Sequence, residues 1–158
     1  MIEQKFEKIA AYTENGIEAI KRTGLRVVEC RDNYTKLMMP LEGNVNHIGM
    51  MYAGSLFILG EVIGGVIFGV SFDYMKYVPI AKEVTIRYRK PTLSDVTLEA
   101  QMTPDRVREL QELTEQKGKA DFTMDLEIKN TGGETVAQVH GTWQMRKIPE
   151  GMPNPMAL

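Results

Sequence analysis

At 158 residues the chain has the length of one ordinary domain, because a soluble chain needs about 100 to 200 residues for each independent core. Hydrophobic residues make up 43% and charged residues 25%, proportions that exclude wholesale disorder, collagen and low-complexity classes. Nineteen Lys plus Arg against 21 Asp plus Glu give a formal net charge of -2, which leaves no electrostatic footprint for a polyanion, so nucleic acid is not an expected partner.

The opening MIEQKFEKIAAY lacks the basic-then-apolar-then-small order of a secretory signal, and a cytoplasmic location is the expectation. Within it Ile2, Phe6, Ile9 and Ala10 fall on one face of a short amphipathic helix over 1–12. Two strands follow, Leu25 to Arg31 and Thr35 to Leu41, the second carrying Leu37, Met39 and Leu41 on one side. The single cysteine, Cys30, excludes an internal disulfide framework and any multi-cysteine metal site, and reads as a small strand residue. With two histidines, His47 and His140, the chain has little material for metal chemistry, so no metal site is expected.

From Met50 to Phe72 the chain is almost wholly apolar and long enough to cross a bilayer as a helix. Gly60-x-x-x-Gly64 and Gly65-x-x-x-Gly69 have the spacing that lets membrane helices approach closely. Glu61 argues against a span, because an acid near its centre costs about 2.5 to 3.5 kcal/mol and no basic cluster flanks the segment. A helix apolar all round is otherwise one covered by protein, and the rest of the chain supplies the cover.

Downstream, Val84, Ile86 and Tyr88 alternate with polar neighbours, as do Val96, Leu98, Ala100 and Met102. Thr103 as a cap, Pro104 at the first position and Val107, Leu110 and Leu113 as a stripe predict a helical insert over 104–116. Phe122, Met124, Leu126 and Ile128, then Ala137, Val139, Gly141, Trp143 and Met145, alternate in two further strands joined by the turn Asn130-Thr131-Gly132-Gly133. This alternation places His140 on an outer, polar face. The segment Pro149 to Leu158 is a tail, read as a mobile end or a clasp on a partner subunit. The pattern predicts one α+β domain over 1–148, with a curved antiparallel sheet of five or six strands wrapped around a long central helix at 50–70.

Asn46-His47-Ile48-Gly49-Met50-Met51-Tyr52-Ala53-Gly54-Ser55, followed by Glu61, resembles the N-x-x-G-x-x-H-G-G-x6-D/E signature of hotdog-fold acyl-CoA thioesterases of the phenylacetate-pathway type. Tyr88-Arg89-Lys90-Pro91 is similar to that family's Y-x-x-P strand end, Lys117-Gly118-Lys119 to its basic-glycine turn, and Gly133 to Ala137 to its G-x-x-V-A hairpin. The likeness runs from about Leu25 to Arg146, and the Tyr-Ala-Gly-Ser-Leu variant with its helical insert resembles a less characterised thioesterase branch. One departure stands out: the family's His-Gly-Gly is Tyr52-Ala53-Gly54 here. A phenol with a pKa near 10 is a poor proton shuttle at neutral pH.

The resemblance implies hydrolysis of a thioester carried by coenzyme A or an acyl-carrier protein, with coenzyme A as part of the substrate and no further cofactor. Glu61 would be general base or nucleophile, Gly54 an oxyanion donor and Asn46 the residue orienting water or carbonyl. Tyr52, Ala53, Met50, Met51 and Phe57 would border the substrate, and Arg89 and Lys90 would meet the coenzyme A phosphates. Gly54 and Glu61 are seven residues apart on one helix, roughly 10 Å along its axis, too far to share one carbonyl. A homodimer with antiparallel helices would bring Glu61 of one subunit to Gly54 of the other, and dimers could pair into a homotetramer. Gly54, Phe57, Ile58, Glu61, Gly64, Gly65 and Phe68 would share the face concerned. The rival reading is a non-catalytic acyl-CoA or lipid-binding protein of the same fold. A hotdog dehydratase is disfavoured, because its H-F-P-G-x-P-type pattern is absent.

Overall fold

The computed structural model describes residues 1–154 and residue 157. The expected tail therefore falls partly outside the described residues, at Pro155, Met156 and Leu158. Within it, the Asn154 amide donates to the Tyr74 carbonyl at 2.7 Å.

A 3-10 turn, Gln4–Phe6, leads into helix α1, Glu7–Asn15, and a single turn α2, Glu18–Lys21. Strands β1, Arg26–Arg31, and β2, Tyr34–Met39, form a hairpin whose turn residue Asn33 takes φ 60, a left-handed value that Asn tolerates better than most residues. Next come the central helix α3, Ala53–Ser71, then β3, Tyr77–Tyr88, and β4, Val96–Gln101. The insert α4, Pro104–Lys117, precedes β5, Lys119–Asn130, and β6, Thr135–Lys147. The caps of α4 are those its sequence announces: Thr103 accepts from the Arg106 N–H, Pro104 opens the first turn, and Gly118 closes the helix at φ 77.

All strand pairs are antiparallel, in the order β1-β2-β4-β5-β6-β3. The sheet curls around α3, whose Leu56, Leu59, Ile63, Val66, Ile67 and Val70 are buried in the core. The 18-residue apolar window of α3 is 67% buried inside the fold, so the helix that is long enough to cross a membrane is here the core helix of a wrapped sheet. Half-buried alternation thus arises where expected, with Thr85, Arg87, Asp125, Glu127 and His140 on the outer face. Cys30 is buried in β1.

Trp143 fixes how α3 seats on the sheet. Its ring, 1% exposed, stacks on Phe122 at 6.0 Å and occupies the space that side chains at Gly64 and Gly141 would fill. Burying an indole of this size is worth about 4–6 kcal/mol at about 25 cal/mol per Å². This corrects one expectation: Gly64 and Phe68 do not share the open helix face but turn into the core, Gly64 beneath the indole and Phe68 at 0% exposure. The open face consists of Gly54, Phe57, Ile58, Glu61 and Gly65, all partly or largely exposed.

Candidate active site

The segment that feeds α3 is held by a buried asparagine the motif comparison passed over. Asn44, 5% exposed, donates to the Thr23 carbonyl at 2.7 Å and the Pro40 carbonyl at 2.9 Å. Its Oδ1 accepts from the Ser55 hydroxyl at 2.8 Å and its carbonyl from the Tyr52 N–H at 2.7 Å. The start of α3 is thereby bolted to the β1–β2 side of the sheet, which defines where its N-terminus points. Asn46, two residues on, closes the local loop instead: its Oδ1 accepts from the Ile48 and Met50 N–H groups at 3.0 and 3.1 Å. Gly49 takes φ 82 to complete that turn. His47 lies exposed in the same loop.

Tyr52 is the N-cap residue of α3, with no side-chain capping bond. Its carbonyl accepts from the N–H groups of Ser55 and Leu56. The N–H groups of Ala53 and Gly54, in the first turn, have no helical acceptor, which is the ordinary condition of a helix start and suits it to hold negative charge. The Tyr52 ring, 59% exposed, folds back over Gly54 so closely that a side chain there would overlap it. Tyr88 donates its hydroxyl to the Ala53 carbonyl at 2.9 Å, tying the end of β3 to the helix entry. Burial raises the Tyr88 phenol above its ordinary pKa, with the nearby Tyr52 adding to the effect.

Beside this entry lies a cleft of 310 Å³, bordered by Asn46, Met50, Met51, Ala53, Leu56 and the stretch Tyr88 to Thr92. Six of the sequence-predicted residues, Asn46, Met50, Met51, Ala53, Arg89 and Lys90, therefore meet there, although Lys90 also pairs with Glu134 at 2.8 Å. The hydroxyl of Thr92, buried in the cleft wall, has no hydrogen-bond partner among the described residues. Gly54, Tyr52 and Phe57 stand outside that wall, and Phe57 is 39% exposed on the open helix face.

Glu61 is elsewhere. It lies two turns along α3 in a separate groove of 230 Å³ between α3 and α1, with Ile9, Tyr12, Thr13, Ile17, Val62, Gly65, Val66 and Pro79. No hydrogen bond or ion pair reaches its carboxylate among the described residues, and burial pushes its pKa above the usual carboxylate range. Its own carbonyl accepts from the Trp143 indole at 3.2 Å, so the core aromatic holds the turn that carries the acid. The helix entry and Glu61 thus border different cavities of one protomer. Sequence reasoning missed Asn44, Ser55, Tyr88, Thr92 and Trp143. Only the small polar residues bracketing the helix start could have flagged the first pair, since loops carry no periodicity.

Among the described residues no group of three His, Cys, Asp or Glu side chains is arranged to hold a metal. On the outer face His140 Nδ1 lies 2.7 Å from Asp125 Oδ1, both exposed.

The wrapped sheet, the core helix and the polar helix entry define a hotdog-type fold. The chain belongs to the family described as a domain of unknown function, DUF4442, whose model matches residues 19–145. No curated protein matches. Among solved structures, a protein of Pseudomonas aeruginosa described as of unknown function and a probable thioesterase is 38% identical, covering 94% of this chain and 99% of its own, with a TM-score of 0.87. A thioesterase of Haemophilus influenzae is 13% identical over 92% of each chain with a TM-score of 0.70. A mutant thioesterase of Staphylococcus aureus is 17% identical over 82% of this chain and 99% of its own, with a TM-score of 0.66. The last two establish likeness of fold alone.

Proposed function

We propose that this protein is a thioesterase acting on an acyl-CoA or acyl-carrier-protein thioester, with a site completed across a two-fold homodimer. The observation that carries the reading is Glu61: an unpaired, half-buried acid on the open face of a core helix, its pKa raised by burial. An acid so placed weakens the fold, a cost characteristic of residues held for chemistry. Antiparallel pairing of two α3 helices through Gly54, Phe57 and Ile58 would bring each Glu61 to the other subunit's unpaired N–H groups at Ala53 and Gly54.

The reaction then runs on the chain's own groups. The thioester oxygen sits on the Gly54 N–H, which holds the negative charge that develops as water adds to the carbonyl carbon. Glu61 of the other subunit removes the water proton as the C–O bond forms. Collapse breaks the C–S bond, the proton passes to the departing thiolate, and a carboxylic acid and a thiol leave. Direct attack by Glu61 through an anhydride has the same overall balance. Arg89, beside the cleft, suits the phosphates of coenzyme A.

The test is hydrolysis of acyl-CoA thioesters from acetyl to palmitoyl, aromatic acyl groups included, with free thiol as readout. Glu61→Gln is expected to lower turnover by about 10²-fold or more. One observation favours a second reading, a non-catalytic acyl-CoA-binding protein: a phenol, Tyr52, stands where the resemblance implies an imidazole. Saturable binding without turnover on any substrate would select it.

A further inference from the structure

Beyond Gly54 at its entry, four glycines punctuate α3, and three are explained by packing. Gly60 lies against Val139, Gly64 against Trp143 and Gly69 against Ile9, where an added Cβ would sit at 3.1 Å from the isoleucine. Gly65 is different: a Cβ there would meet nothing within 4 Å. It opens on the groove between α1 and α3, and Glu61, one turn earlier, is the only charged residue bordering that groove among the described residues. The opposite wall comes from Ile9 and Tyr12 of α1 and from Ile17 just beyond it. Gly16 permits this wall, because a side chain there would meet the Tyr12 ring at 2.6 Å.

We propose that this groove is the acyl pocket, and that α1 and the bare backbone at Gly65 set which acyl groups fit. The inference rests on the thioesterase reading and names its substrate class: a short linear or single-ring acyl group. Three observations converge on that occupant. Apart from Glu61 and Thr13 the walls are apolar or aromatic, so they suit a hydrocarbon and not the charged carrier, which has the cleft at Arg89 and Lys90 instead. The volume, 230 Å³, lies below the roughly 300–1,000 Å³ of sites for drug-sized ligands, which excludes a fully enclosed long chain. The unpaired Glu61 carboxylate accepts a neutral acyl thioester as a neighbour but repels the carboxylate product, so hydrolysis itself favours release. The carrier would thus lie on the subunit that supplies Gly54, and the acyl group on the subunit that supplies Glu61.

The experiment measures binding of hexanoyl-CoA and of free coenzyme A by calorimetry, alongside turnover across the acyl series, for wild type, Gly65→Leu and Tyr12→Ala. Wild type is expected to bind hexanoyl-CoA about tenfold or more tighter than coenzyme A. Gly65→Leu should erase that difference while keeping coenzyme A affinity and dimer mass, and Tyr12→Ala should shift the optimum toward longer chains. Equal hexanoyl-CoA affinity in wild type and Gly65→Leu would overturn the proposal. So would a Gly65→Leu protein that folds as a monomer, because the open space would then belong to a second copy of the chain. If no acyl-CoA is hydrolysed, the thioesterase reading fails, and the binding arm still decides whether the groove takes an acyl group.

Discussion

Two side chains in this protein stand in opposite relations to water. Asn44 is buried and makes hydrogen bonds through both its amide nitrogen and its oxygen. Replacing it with Ala strands the Thr23 carbonyl and the Ser55 hydroxyl, and should cost about 1–3 kcal/mol, read as a lower urea midpoint with unchanged m-value. Glu61 is half-buried and partnerless, with a folded-state pKa raised by desolvation. Below the unfolded pKa both states are protonated and no penalty exists. As pH rises toward and through the folded pKa, the folded state ionises less readily than the unfolded one, and stability falls. Glu61→Gln should therefore melt higher than wild type near neutral pH, with the gap closing as the pH falls toward 4. A thermal-melt series across that window checks this. Glu61 could be read from the sequence because an acid interrupts an apolar run. Asn44 could not, because its partners, the Thr23 and Pro40 carbonyls and the Ser55 hydroxyl, are distributed over three separate segments.

Among the elements, the four regular strands were legible because a period of 2 reports burial directly, and the central helix because a long run apolar on every side must be covered by protein. Two features were not. Strand β3 begins at Tyr77 and not near Glu83, because Pro79 and a bulge between Ala81 and Glu83 break the alternation just where the strand starts. Helix α1 starts at Glu7 and reaches Asn15, beyond the predicted end at residue 12, and stops at its cap Gly16, whose N–H bonds to the Tyr12 carbonyl. The glycines of α3 also divide in a way that spacing alone does not reveal. Gly64→Ala should destabilise by about 1–3 kcal/mol, since the added methyl collides with a rigid buried indole. Gly65→Ala should instead stabilise, by up to about 1 kcal/mol, from helix propensity alone. Urea unfolding of the two variants side by side separates a packing glycine from one that keeps space open.

For the whole molecule, the candidate site could be anticipated in its parts but not in its assembly. The sequence names Gly54 and Glu61, and only the fold reveals that Glu61 borders a groove of its own while Gly54 stands at the helix entry, beside the other cavity and not in its wall. A shared site predicts complementation. Gly54→Pro deletes the N–H donor in the first turn of α3, displacing the exposed Tyr52 ring that covers it, and Glu61→Gln deletes the base. If both are inactive alone, mixed and re-paired subunits should recover about a quarter of wild-type activity, because half the dimers are mixed and each holds one intact site of two. Recovery of nothing would place both groups in one subunit's site.

The sheet has an uneven weave. Strands β5 and β6 are joined along ten residues and more, whereas β4 meets β5 only at Val96 with Asn130 and Thr97 with Lys129. The molecule is therefore stitched as two panels, β1-β2-β4 and β5-β6-β3, closed over one helix by a two-residue seam and by α4, whose Leu110 is buried in the common core. Partial opening along such a seam exposes one side of α3 without unravelling either panel. Amide exchange should accordingly fall into two tiers, slow inside each panel and faster along the seam.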